Sequence, residues 1–202
     1  RPSIIQNLLE VLKRLNDFEH IKRVCSEVYA RIAHDCQTQS ALVVLCLKGF
    51  LVSNCLDRVK EVLSRVMRQE ILDSSFLLEV IDAALYVRDI PAAEFFLSQL
   101  ERSHPQNSDL QLFRGRILLA NGKHQEALAT FESLPPEVIN SQRGDLYIGL
   151  CLYALGRYVD AHARLTAVCH IESTRKQCLI ALANVCRGLG GEQEALEHIQ
   201  EA

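Results

Sequence analysis

The chain has 202 residues, 49% of them hydrophobic by type, and a formal net charge of -3 from 22 Lys and Arg against 25 Asp and Glu. That is enough apolar material for a substantial core and too little positive charge to grip phosphate backbones, so nucleic acid is not an expected partner. No apolar run reaches the roughly 18–20 residues of a membrane-spanning helix, so no membrane insertion is expected either. The charge is mildly polarised: residues 1–70 carry 11 basic and 8 acidic side chains, the remainder 11 and 17.

In chain order, Leu8, Leu9, Leu12 and Leu15 recur at helical spacing. They predict a helix from Ile4 to Leu15, a turn at Asn16-Asp17, and a return helix from Phe18 to about His34. Cys36-Gln-Thr-Gln then breaks the register, as a longer loop or an extension of either neighbouring helix. A second pair runs through Ala41–Cys46 and Phe50–Val52 and turns at Ser53-Asn54. Its return helix carries Arg58, Lys60, Arg65 and Arg68, read as a solvated outer face. The third pair turns at Arg88-Asp89, with Asp89 as the cap and Pro91 in the first turn of the helix that follows.

His104-Pro105-Gln-Asn closes that pair, and Ser108 with Gln111 reads as a capping box for the next helix. Gly122 stops that helix. Pro135-Pro136 lacks the amide protons a helix needs, so the return helix is expected to be short, near Glu126–Leu134. A single turn at Pro136–Ile139 would lead into a helix over Arg143–Leu155. The last pair covers Lys176–Gly188 and Glu192–Ala202.

One stretch repeats another. Gly122-Lys-His-Gln-Glu-Ala127-Leu-Ala-Thr-Phe131 returns 34 residues later as Gly156-Arg-Tyr-Val-Asp-Ala161-His-Ala-Arg-Leu165. Gly115 returns as Gly149, and Gly190, Ala195 and Ile199 continue the series. A fixed period of this length marks a stacked helical array.

The residues carrying it resemble the tetratricopeptide repeat. That family places small residues at repeat positions 8 and 20, a bulky apolar residue at 24, glycine near 15 and often proline at 32. Repeat 108–141 supplies Gly115, Gly122, Ala127 and Phe131; repeat 142–175 supplies Gly149, Gly156, Ala161 and Leu165. The partial repeat 176–202 supplies Ala183, Gly190, Ala195 and Ile199. Repeat 74–107 keeps Ala93, Leu97 and Pro105 but has Ile81 at position 8. Repeats 40–73 (Leu47, Val59, Leu63) and 2–35 (Leu9, Ile21, Cys25) are weaker. Large residues at 8 and 20 should splay the helices of those first hairpins.

The resemblance covers the whole chain. It implies an all-α fold, a right-handed α-solenoid of about six antiparallel helix pairs in one array over residues 1–202. The chain opens Arg1-Pro2, without Met or the pattern of a signal peptide, and is expected to be a fragment of a longer protein.

Eight cysteines suggest disulfides by number alone. Cys25, Cys46 and Cys186 fall at positions that point into the helix packing. Cys151, Cys169 and Cys178 lie within helical runs, and Cys36 lies in a loop. With no Cys-x-x-Cys and no Cys/His cluster at zinc spacing, they read as buried thiols of a reducing, cytoplasmic compartment. His124, His162 and His198 are expected to face mostly outward. There is no phosphate loop, no Gly-x-Ser-x-Gly and no His-Glu-x-x-His, and Gly188-Leu-Gly-Gly191 sits where a helix pair turns. No catalytic, cofactor or metal site is therefore expected.

The resemblance implies a concave groove lined by the first helix of each pair. Position 5 reads Gln6, Val44, Leu78, Leu112, Leu146 and Ile180, and position 9 reads Glu10, Lys48, Asp82, Arg116, Leu150 and Asn184. Tyr86, Phe113, Tyr147 and Tyr153 stand beside them. The Lys and Asn of the family's carboxylate clamp are missing. An apolar ladder with single charges suits an amphipathic helix or an extended apolar stretch. The other reading of the ladder is that part of it packs against neighbouring hairpins.

The expected function is a non-enzymatic protein–protein interaction module, a scaffold or chaperone-like adaptor. One alternative is an assembly element of a larger multiprotein complex, which polymerises, dimerises or supports an enzyme domain elsewhere in the parent chain; self-association is expected through the last hairpin, where no further helix follows to cover Leu196 and Ile199. The other, disfavoured by the aliphatic ladder and the negative charge, is an RNA-binding helical repeat.

Overall fold

The computed structural model describes residues 2–36, 39–69, 71, 73–136, 139, 144–171 and 175–202. Among them it forms twelve helices and no strand, an all-α, solenoid-like arrangement. The helices are α1 (Pro2–Arg14), α2 (Phe18–Ile32), α3 (Ser40–Val52), α4 (Leu56–Val66), α5 (Ser74–Tyr86), α6 (Ile90–Ser103), α7 (Leu110–Ala120), α8 (His124–Glu132), α9 (Gly144–Ala154), α10 (Tyr158–Val168), α11 (Arg175–Leu189) and α12 (Glu192–Glu201). No described helix is long and apolar enough to cross a membrane.

Two compact units divide the chain, Arg1–Asn107 and Ser108–Ala202, each with three helix pairs. The division falls between the third and fourth repeats. Within each unit every helix packs on the next, and the first helices of successive pairs also touch: α3 contacts α1 and α5, and α9 contacts α7 and α11. The first helices therefore share one face of each unit.

All six turns use the same device at repeat position 15. Gly122, Gly156 and Gly190 have φ of 78°, 77° and 84°. Asn16, Asn54 and Arg88 hold the same place in the first unit with φ of 54°, 53° and 56°. The left-handed residue lets the chain reverse while its neighbours satisfy the helix end: Gly122 N–H donates to Leu119 O and Lys123 N–H to Leu118 O, at 3.1 and 2.9 Å.

Asp17, Asp73 and Asp89 begin α2, α5 and α6 by accepting backbone N–H bonds from residues in the first turn. The capping box expected at Ser108 and Gln111 is not formed. Helix α7 begins at Leu110, so Asp109 holds the N-cap place and makes no side-chain cap hydrogen bond. Helix α8 ends at Glu132, nine residues long, as the two prolines require. The turn expected at Pro136–Ile139 and the break at Cys36–Gln39 lie partly outside the described residues. Cys36 itself is buried and its N–H donates to Gln69 Oε1 at 2.8 Å, so it is not an open loop residue.

Side-chain size decides how each pair closes. In the second unit, glycine at position 8 seats the bulky residue at position 24. A Cβ on Gly115 would stand 2.6 Å from Phe131 Cε1, and one on Gly149 would stand 2.7 Å from Leu165 Cγ. Those pairs pack along most of their length. In the first unit Leu47 and Val59 occupy positions 8 and 20, and α1/α2 and α3/α4 meet over a shorter stretch. The close crossing moves instead to α2 against α3, where a Cβ on Gly49 would lie within 2.3 Å of Cys25 Sγ. The α5/α6 pair stays tight despite Ile81, because Ala83, Ala84, Ala92 and Ala93, all buried, keep its helices slim.

Candidate functional site

The face shared by first helices differs between the units. In the first unit it is open. A cleft of about 350 Å³ between α1, α3 and α5 has Ala41, Val44, Leu45 and Phe76 as apolar lining, with Gln6, Ser40, Asp73 and Ser75 at its polar edges. A second cleft of about 210 Å³ shares Gln6, Leu45 and Lys48 and runs toward Leu9, Glu10, Lys13 and Val52. Lys48 Nζ reaches from α3 to Glu79 Oε1 on α5 at 2.6 Å. Both partners stay substantially solvated, so the pair contributes about 0–1 kcal/mol to stability while fixing where a charge of each sign stands.

In the second unit the same face is filled by its own side chains. The Arg116 guanidinium lies over the Phe113 ring at 4.7 Å and over the Tyr147 ring at 5.2 Å. Tyr147 in turn stacks on Phe131, with centroids 5.4 Å apart and planes within 15°. Beneath this stack Leu112 and Leu146 are 5% and 1% exposed, in the core with Leu128, Leu152 and Leu182. The expectation that Leu112 and Leu146 offer side chains to a partner is thus corrected: neighbouring hairpins already cover them. Leu150 and Tyr153 are half-buried against the same core, with Tyr153 5.8 Å from Tyr158.

Of the remaining expected groove residues, Val44 and Lys48 line the first cleft. Leu78 is half-buried on α5, whereas Asp82 and Tyr86 are exposed. Glu79 was not among the expected site residues. Its place follows a rule visible in both units: a side chain at position 9 reaches position 6 of the next repeat, 31 residues on, as Lys48 does to Glu79 and Arg116 to Tyr147. The sequence held that signal, since both pairs are chemically matched.

The cysteines are all free thiols. Burial pushes the Cys151 thiol up to about 12 and holds Cys36 above its ordinary value, so neither is poised as a nucleophile. His162 and His198 do not simply face outward. Together with Cys186 and Glu194 they converge in the second unit, all four donor atoms within 4.8 Å of one another.

A protein-family model for the tetratricopeptide repeat matches residues 81–142. Over that stretch the chain is similar to the tetratricopeptide repeat. Among solved structures the fold is similar to MamA 41-end from Desulfovibrio magneticus RS-1, with a TM-score of 0.52 and 15% identity over 88% of this chain and 92% of that one. At that identity the likeness bears on the fold. No curated protein matches the sequence. The six left-handed turns mark the repeat frame, and the packing of first helices on one another is the frame seen in three dimensions.

Proposed function

We propose that this chain is a non-enzymatic protein-interaction module whose binding surface is the cleft of the first unit and whose occupant is an amphipathic helical segment of another protein. The family supports the broad statement, protein binding. The observation that carries the finer one is the pairing, within a single cleft, of an apolar floor at Val44, Leu45 and Phe76 with the Lys48–Glu79 ion pair. A helix presenting apolar side chains every three to four residues would bury them on that floor. An acidic residue of the same segment would meet Lys48 and a basic one Glu79, which fixes direction and register more than affinity.

The test is to select helical peptides against the 202-residue chain and measure each Kd for the wild type and for variants. Val44→Asp should weaken binding more than tenfold, because a docked apolar segment would bury the new carboxylate away from water. Lys48→Glu should change which peptide charges are preferred with a smaller loss. Lys60→Glu, on the outer face of α4, should bind like the wild type. Peptides that bind Val44→Asp as tightly as the wild type would place the site elsewhere.

A further inference from the structure

Three helices of the second unit turn four metal-ligating side chains toward one point. His162 comes from α10, Cys186 from α11, and Glu194 and His198 from α12. Glu194 and His198 stand one helical turn apart and so share a face. Nε2 of His162 lies 3.4 Å from Glu194 Oε1, and Nε2 of His198 lies 3.9 Å from the same oxygen. Cys186 is 1% exposed.

A surface network around Glu194, which pairs with the imidazoles and accepts a hydrogen bond from the Cys186 thiol, would explain part of this. It leaves one thing unexplained: Nε2 of His198, which is buried and has no hydrogen-bond partner. A buried polar nitrogen left unpaired is costly, and an ion at the centre would satisfy it. We propose that His162, Cys186, Glu194 and His198 bind one divalent transition-metal ion of the zinc class, which ties the last helix pair to α10.

The ligand chemistry selects the ion. One thiolate, two neutral imidazoles and one carboxylate form the mixed sulfur, nitrogen and oxygen set of four-coordinate zinc, and their charge of minus two balances the ion. Calcium and magnesium prefer oxygen ligands throughout. Zinc–ligand bonds of about 2.0–2.3 Å in a tetrahedron place donors roughly 3.3–3.8 Å apart. The two histidine–glutamate separations, 3.4 and 3.9 Å, already lie near that range. Glu194, with 54% of its side chain exposed, has room to draw in. Binding releases the Cys186 thiol proton to solvent.

The fold shows what the ion would add. Helix α12 buries only Ala195, while Leu196 and Ile199 are 48% and 54% exposed, so apolar packing holds it weakly. A bond from two of its residues to α10 and α11 is the anchor its sequence lacks. Metal binding is then coupled to the order of this helix.

The probe is Co²⁺, added to the chelator-treated 202-residue chain and then displaced by Zn²⁺. One equivalent should bind, with the charge-transfer absorption of a thiolate–cobalt bond and the visible bands of tetrahedral cobalt. Amide exchange across 192–201 should slow at least tenfold on Zn²⁺ binding. His162→Gln and His198→Gln should each weaken Co²⁺ binding by about 10- to 100-fold or more, and Cys186→Ala should remove the charge-transfer band. Because Cys186 is buried, the two half-buried histidines keep the test decisive if the cysteine variant loosens the fold. Failure to saturate at one equivalent, a band that survives in folded Cys186→Ala, or unchanged affinity in both histidine variants would overturn the assignment.

Discussion

Gly115 presses against the ring of Phe131 so closely that a Cβ in its place would stand 2.6 Å from one ring carbon and 2.8 Å from the next. Phe131 is fully buried, and it also stacks on Tyr147. The ring therefore has little room in which to retreat. Gly115→Ala should cost about 1–3 kcal/mol through overpacking, read from the urea midpoint at constant m. Phe131→Leu in the same chain should return part of that loss, since contacting residues couple. Strictly additive effects would mean that another neighbour limits the crossing.

Asp73 opens α5 and also edges the cleft. Its carboxylate accepts from the Ser75 hydroxyl at 2.8 Å and from the Ser75 and Phe76 amides at 2.9 and 3.4 Å. The Ser75 hydrogen bond is the main reason its pKa is held below the ordinary value. A depressed carboxylate contributes stability above its unfolded pKa, near 3.9, and loses it as pH falls through the lower folded value. Asp73→Ala should cost about 0.5–2 kcal/mol at neutral pH. Asp73→Asn should keep most of the cap and remove this residue's share of the acid sensitivity. Denaturation midpoints measured from pH 7 down to the acid limb separate the two variants.

The repeat frame was legible because it rests on residues that only one geometry accepts. Glycine at 115, 122, 149, 156 and 190 marks a close crossing or a left-handed turn, and 34-residue spacing repeats the marks. The first unit was harder to read. Asn16, Asn54 and Arg88 make the same turns without glycine, and the α2/α3 crossing at Gly49 replaces the crossing within a hairpin. The ladder at position 5 could not be sorted in advance. A leucine there serves equally as groove lining or as the seam between hairpins, and only the Arg116 stack shows that Leu112 and Leu146 are seam. The His162, Cys186, Glu194 and His198 cluster was hidden for another reason. Three helices contribute to it, and no linear spacing announces a site assembled that way.

Arg88 holds φ of 56° where the second unit uses glycine. A side chain in that conformation costs about 1–2 kcal/mol, partly offset on replacement by the greater freedom of unfolded glycine. Arg88 is exposed, and its substitution disturbs no core. Arg88→Gly should therefore stabilise the chain by a net of about 0.5–1 kcal/mol, seen as a higher urea midpoint. A lower midpoint would mean that the arginine side chain makes a contact worth more than its backbone strain.

Val44 and Leu146 occupy the same repeat position in different units, and their substitution by aspartate should have opposite consequences. Leu146 is 1% exposed, in a core shared with Leu112, Leu152 and Leu182. Aspartate there removes roughly 1.5–3 kcal/mol of apolar burial and adds the larger cost of an unpaired buried charge. Leu146→Asp should disrupt the second unit, with amide protection lost across α7–α11. Val44 is half-buried at the wall of an open cleft, where water can reach an introduced carboxylate and Lys48 lies one turn away on the same helix. Val44→Asp should therefore keep its helical circular dichroism and most of its stability while losing peptide affinity. Circular dichroism and amide exchange on the two variants, run beside the peptide titration, check both halves. If Leu146→Asp stays folded and loses only binding, the groove extends onto the second unit. If Val44→Asp unfolds, the cleft wall is core, and the proposed site must move off α3.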